Sequence, residues 1–149
     1  MTSSYDDIFS RFYMKVQDYK LSGYDENLAN EILTGYLRNG ASDTFVRKLF
    51  KTSIFDDDSG EFEWELVTSY DDYGDVDFVE DILSEAMIIQ WIYPQYHSTL
   101  LTSQFFTNKE QSFYSQANHM AELKAMYELA KTNLRKKIRD RGYQYAPTE

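Results

Sequence analysis

Asp77-Phe78-Val79-Glu80-Asp81-Ile82-Leu83-Ser84-Glu85-Ala86-Met87-Ile88-Ile89-Gln90-Trp91-Ile92-Tyr93-Pro94 is the stretch around which the rest of the chain has to fold. Asp77 suits a helix N-cap, and from it Phe78, Ile82, Leu83, Ala86, Met87, Ile89 and Trp91 follow at spacings that leave a helix apolar on most of its sides. Such a helix belongs at a buried centre, covered by other elements. Pro94, which lacks an N–H and clashes with the preceding turn, is expected to kink or end it. Tyr96, Leu100, Leu101, Phe105 and Phe106 extend a helical pattern beyond that point.

The covering elements can be read on either side. Upstream, Ser4 is placed to cap a helix over residues 4 to 20, with Asp6 and Asp7 in its first turn and Ile8, Phe9, Phe12, Val16 and Tyr19 on one face. Ser22-Gly23 breaks the pattern. Asp25 then opens a second helix whose face is Leu28, Ile32, Leu33, Tyr36 and Leu37, stopped at Asn39-Gly40. Residues 42 to 55 carry Phe45, Val46, Leu49, Phe50, Ile54 and Phe55 at helical spacing, but the segment is short and flanked by breakers, which leaves its state open. Downstream, a final helix starting after Ser115 or Asn118 buries Met120, Leu123, Tyr127, Ala130, Leu134 and Ile138 and ends at Gly142, about 35 Å long at about 1.5 Å per residue.

Between these helices lies a different texture. Asp56-Asp57-Asp58-Ser59-Gly60 reads as a turn, and Phe62-Glu63-Trp64-Glu65-Leu66 alternates as a strand does. Ser69 to Asp77 is acidic and Tyr-rich. Residues 56–77 are therefore expected to form an acidic loop or β-hairpin insertion projecting from a mainly α helical bundle with a long C-terminal helix. The chain is expected to be a single domain over 1–149, with 142–149 as a tail.

Composition agrees with one packed core. The 149 residues are 42% apolar and include ten Phe, thirteen Tyr and two Trp, enough large side chains to fill an interior despite a negative mean hydropathy. There is no Cys, so disulfides and Cys-based metal or redox chemistry are excluded. Residues 1 to 7, Met-Thr-Ser-Ser-Tyr-Asp-Asp, lack the basic and apolar regions of a signal peptide, and the longest apolar stretch, Ala86 to Tyr93, falls far short of the roughly 20 residues a membrane span needs, so a soluble protein away from membranes is expected.

Charge is segregated. The net charge is -10, yet no Lys or Arg occurs between Lys51 and Lys109, while thirteen carboxylates lie from Asp56 to Glu85. The end of the last helix reverses the sign with Lys131, Arg135, Lys136, Lys137, Arg139 and Arg141 against Asp140 alone. A contact for an acidic protein partner is the first reading of that basic end, ahead of completing the helix dipole and ahead of nucleic acid, which so acidic a chain would hold weakly and in a salt-sensitive way.

Catalytic and metal chemistry find no carrier. His97 and His119 stand apart with no companion ligand at metal spacing, and His119 is better placed to satisfy a helix start or to pack near Tyr127. Ser115 and His119 on one helix lack the third group that would orient a base. Asp56, Asp58 and Gly60 open like a calcium loop, but the twelfth position is Val67 where a bidentate Glu is required. The six glycines are scattered singly, with no phosphate-binding loop among them. No catalytic residue, cofactor or metal site is expected.

Three segments carry a resemblance: Ala86-Met87-Ile88-Ile89-Gln90-Trp91-Ile92-Tyr93-Pro94, Phe113-Tyr114-Ser115-Gln116-Ala117-Asn118-His119-Met120-Ala121-Glu122-Leu123-Lys124, and Ile138-Arg139-Asp140-Arg141-Gly142-Tyr143. The pattern resembles the small head-tail connector (neck adaptor) proteins of tailed bacteriophages of Gram-positive hosts, over residues 80 to 143 above all. The resemblance implies a helical virion protein, assembled in the host cytoplasm, that forms a ring of usually twelve copies beneath the portal protein. Such a ring meets a head-closure or tail-side neck protein and passes double-stranded DNA through its channel without reading its sequence. It implies a portal-docking role for Arg135, Lys136, Arg139, Arg141, Tyr143 and Tyr145. Asp56, Asp57, Asp58, Glu61, Asp71, Asp72 and Asp75, in a segment that departs from the compact members, would then be exposed or line the channel, where carboxylates repel phosphates. The alternative is a small acidic binding or regulatory module, a nucleic-acid mimic acting on a basic protein partner.

Overall fold

The central helix is longer than the stretch that announces it. In a computed structural model describing residues 1–16, 21, 23–105 and 110–144, and the side chains of all but 99–105, 110–117, 143 and 144 among them, α4 runs from Asp72 to Phe105. Val79, Ile82, Leu83, Ala86 and Met87 on it are at most 1% exposed. Burying side chains of this size contributes about 1.5–3 kcal/mol each for the larger ones, and a helix apolar on several sides needs several partners to collect it. Three supply the cover: α1 (Tyr5–Lys15), α2 (Glu26–Ala41) and α5 (Glu110–Gln144) all pack on α4. Of the two outcomes expected at Pro94, a kink or an end, the helix does not end there. Pro94 sits in an exposed stretch, Tyr93 to Gln95, and the helix continues past the one backbone bond it cannot donate.

Two of the expected caps hold, whereas Asp77 is not an N-cap and lies inside α4. Ser4 Oγ accepts from the Asp7 N–H at 3.1 Å to start α1, and the Asp25 carboxylate accepts from the Leu28 N–H at 2.7 Å to start α2. α1 buries Tyr5, Ile8, Phe9 and Phe12 and is capped by Val16; Tyr19 and the expected last turn lie outside the described residues. α2 buries Ala29, Leu33 and Leu37, whereas Leu28 is 41% exposed. Asn39-Gly40 does not stop α2. Gly40 is there for proximity: a Cβ on it would stand 2.9 Å from the Cβ of Ala86 and 3.0 Å from its carbonyl carbon, so only glycine lets α2 press against α4 at that point.

Residues 42–55 divide into one turn of helix, α3 (Thr44–Arg47), and a strand, β2 (Phe50–Asp56). β2 pairs antiparallel with β3 (Glu61–Leu66), and β3 pairs on its other side with β1 (Thr2–Ser4), giving the order β1-β3-β2. The turn between β2 and β3 uses Gly60 at φ +69°, and the Asp56 carboxylate accepts from the N–H groups of Asp58 and Ser59. β1 gives no strand signal in the sequence because three residues are too few to show alternation.

The expectation of a projecting insertion is therefore corrected. The hairpin exists, but it begins at Phe50 and its alternation points Phe62, Trp64 and Leu66 into the same core as the helices. Phe55 stacks on Phe62 with centroids 4.3 Å apart, and the Trp64 indole N–H donates to Ser3 Oγ at 3.1 Å. The molecule is mainly α, a helical bundle with a long C-terminal helix and a small three-stranded sheet laid into its core. α5 begins at Glu110, earlier than Ser115 or Asn118, and passes Gly142 to Gln144, which makes it about 50 Å long. It buries Leu123, Ala130 and Leu134 and half-buries Met120, Tyr127 and Ile138, the face expected of it. Among the described residues no helix is long and apolar enough to cross a membrane.

Candidate functional site

The basic end of α5 is two surfaces. Its phase on the helix places Lys137 and Arg141, four residues apart, along the edge of the buried face. Arg135, Lys136 and Arg139 point away from the core and are exposed.

Lys137 Nζ donates to Asp81 Oδ2 at 2.8 Å and to Glu85 Oε1 at 2.9 Å, and Lys15 of α1 reaches the same two carboxylates at 2.6 and 3.1 Å and Ser84 Oγ at 2.7 Å. Two cations and two carboxylates thus bind three helices together. Burial opposes the charge on Lys137, but its hydrogen bonds to Asp81 and Glu85 outweigh that and hold the ammonium above the usual lysine range. Burial likewise works against the Asp81 carboxylate, and the lysines on either side of it prevail, keeping it below the usual carboxylate range.

Arg141 is held more tightly still. Its Nη2 donates to Asp75 Oδ1 at 2.7 Å and to the Thr68 carbonyl at 3.2 Å, while its guanidinium lies 4.4 Å from the Phe78 ring centroid and 4.7 Å from that of Tyr70. Asp75 also accepts from the Ser69 hydroxyl and from the Tyr70 N–H at 3.3 Å. The side chain of Asp75 is 2% exposed and that of Arg141 is 12% exposed. Two of the expected site residues are therefore internal. Arg141 locks the end of α5 to the β3–α4 connection and does not present itself for docking, and Asp75 is neither an exposed loop carboxylate nor free to line a channel. Desolvation drives the arrangement: a buried carboxylate at that point needs a cation, and the flat guanidinium fits between two rings.

Of the other expected docking residues, Arg135 is exposed with its guanidinium 4.9 Å from the Phe45 ring centroid, and Lys136 and Arg139 are exposed. Arg139 meets Asp140 at 3.8 Å. The side chain of Tyr143 and all of Tyr145 lie outside what the structure describes.

The remaining acidic residues, Asp56, Asp57, Asp58, Glu61, Asp71 and Asp72, are exposed. Asp57 accepts from the Tyr5 hydroxyl at 2.6 Å and from Arg38 at 2.7 Å, and these contacts, Tyr5's first, hold it below the carboxylate range. Burial, reinforced by Asp57, raises the Tyr5 hydroxyl above the tyrosine range. Asp71 accepts from the Gly74 N–H at 2.7 Å in the first turn of α4. Glu61 belongs to a row of which only it was expected as a site residue: Glu63 and Glu65 stand with it on the outer, solvent-facing side of β3. The strict alternation of 62–66 already held this signal, since a strand that buries Phe62, Trp64 and Leu66 has to expose the residues between them.

His97 stacks on Tyr93 with centroids 5.7 Å apart, and His119 is exposed. Tyr127 packs instead with Tyr93 and Tyr96, under the Lys131 ammonium. Among the described residues no group of three or more His, Cys, Asp or Glu side chains could hold a metal ion. A groove of about 340 Å³ between α1, α4 and α5 is lined by Val16, Ile88, Trp91, Ile92, Met126 and Leu129 among others. Set against known proteins, the chain matches no family model, no curated protein and no solved structure.

Proposed function

We propose that the chain is a structural subunit of a bacteriophage neck, a head-tail connector that forms a ring beneath the portal, continues the DNA channel toward the tail and catalyses nothing. Twelve copies, a portal above and a head-closure or tail-side neck protein below are the partners this reading brings. One observation carries it beyond the resemblance at 86–94, 113–124 and 138–143. A 35-residue helix is clamped to the body by Lys137 and Arg141 and still turns Arg135, Lys136 and Arg139 to solvent. A connector's work is geometric, and a docking strip on a braced helix presents charge at fixed backbone positions, so that binding has only side chains left to order. In this reading the stripe meets an acidic protein surface and the residues after Gln144 meet the portal.

The test is electron microscopy of purified portal from the same virus mixed with the full chain or with a chain shortened after Gln144. This cut spares Arg141 and so leaves the lock with Asp75 closed; a cut after Lys137 would open it and confuse docking with folding. A ring capping the portal only when the last residues are present is the expected result. No binding by either chain would overturn the portal reading in favour of the acidic binding module, to which the row of Glu61, Glu63 and Glu65 lends a specific surface.

A further inference from the structure

The outer face of the sheet and the outer face of α5 are complementary in charge, spacing and apolar content. On β3, Glu61, Glu63 and Glu65 recur at about 6.7 Å, with Asp56 in register beside Glu61 and Ile54 beside Glu63. On α5, Arg135 and Arg139 stand one turn, about 6 Å, apart, and Lys136 shares the outward arc. Each surface also has an exposed apolar residue at hand: Ile54, 58% exposed, among the carboxylates, and Phe45 of α3, 47% exposed, beneath the Arg135 guanidinium.

Among the described residues these surfaces are paired only in part and locally, Arg139 lying 3.8 Å from Asp140 on its own helix and Arg135 over the Phe45 ring. Among the described residues, Glu61, Glu63 and Lys136 have no ion-pair partner, Glu65 has Lys51 at 3.5 Å with both side chains more than half exposed, and no ion pair joins the sheet face to the stripe. Lys137 and Arg141, by contrast, are consumed internally, so the free charge of the helix end is concentrated on one arc.

We propose that these two surfaces are the halves of one interface, in which the acidic outer face of the sheet of one copy receives the Arg135–Lys136–Arg139 stripe of the next. The proposal deepens the assembly reading and rests on its treatment of the stripe as a protein contact, but it requires no portal. Because the two halves differ, the contact is head to tail: every copy keeps one half of each kind available, and repetition closes a ring if the rotation between copies allows it. A strand spacing of about 6.7 Å against a helical spacing of about 6 Å lets two successive charge pairs form without distorting either element. Exposed pairs of this kind are individually weak and screened by salt, so a single contact is dissociable, and a copy held on both sides is retained far longer.

Sedimentation velocity on the full chain tests this with two triple variants, Glu61→Lys/Glu63→Lys/Glu65→Lys and Arg135→Glu/Lys136→Glu/Arg139→Glu, and a chain carrying all six changes. The wild type should associate at low ionic strength and disperse at high. Each triple variant alone should lose association by about tenfold or more, since like charges then face each other. Mixing the two variants, or combining them in one chain, restores opposite charges across the interface and should restore association, which also shows that the changes left the fold intact. A wild type that stays monomeric at low salt up to its solubility limit, triple variants that associate like the wild type, or failure of both the mixture and the six-change chain to recover would each overturn the proposal. Loss in the stripe variant alone would assign the stripe to a different acidic surface of the same chain and overturn it equally, whereas the portal experiment can fail without affecting any of these outcomes.

Discussion

Lys137 and Arg141 differ from Arg135, Lys136 and Arg139 in nothing that composition records, and they have opposite roles. The first pair lies on the edge of the helix that also carries Ala130, Leu134 and Ile138, and its charges are spent on Asp81, Glu85 and Asp75. The second group lies on the far arc and faces water. A run of basic residues on a helix is therefore a mixture of structural and presented charge, and helical phase sorts one from the other.

The sharpest way to break this division is Arg141→Ala. It strands the Asp75 carboxylate in a buried position, and an unfolding titration should show a loss of about 3 kcal/mol. If Arg141 were a docking residue, its removal would leave stability unchanged. Next is Lys137→Met, expected to cost about 1 kcal/mol after allowance for its partial exposure. It also changes the pH dependence. Asp81 is held below its ordinary value, so its contribution is present above about pH 4 and is lost as pH falls through its folded-state value. Without Lys137 that value rises, and the acid-side loss of stability should begin at a higher pH than in the wild type. On the alkaline side, the contribution of the raised Lys137 is present below about pH 10.4 and fades as pH climbs through its folded-state value, a loss the variant should not show.

Glu80 offers a smaller effect of opposite sign. Burial raises its carboxyl above the usual range more than Arg11, 3.4 Å away, lowers it, so ionisation disfavours folding. Glu80→Gln should stabilise the protein by about 0.5 kcal/mol at pH 7, and the advantage should vanish below about pH 4, where the glutamate is protonated in both states. Smallest of all, Arg135→Ala, Lys136→Ala and Arg139→Ala should each alter stability by less than about 0.5 kcal/mol. A larger loss at any of them would place that residue with Lys137 and Arg141.

The helices were legible because period, cap and burial agree: Ser4 and Asp25 cap as their chemistry suggests, and Val79, Ile82, Leu83, Ala86 and Met87 are buried as an apolar-all-round helix has to be. Legibility failed where a residue type has two uses. Gly40 looks like a helix stop and is a point of close approach to Ala86; Pro94 looks like a terminator and is tolerated on an exposed side; Leu28 completes an apolar pattern and stays outside. The site was half legible for a similar reason. The charged segments were visible, but pairing between Asp75 and Arg141, sixty-six positions apart, depends on how α4 and α5 meet, and single-sequence periodicity has no term for that. β1 escaped because three residues carry too little pattern.

Trp64 and Trp91, the chain's two tryptophans, stand in very different solvents. Trp64 is sealed at 1% exposure with its indole bound to Ser3, and Trp91 is half-buried at the groove, edge-on to Phe12. The protein thus contains two intrinsic optical probes, one seated between sheet and core and one on the wall of the three-helix groove. With Trp91→Phe, the emission of Trp64 alone reports whether the sheet and the helices come apart together or in sequence.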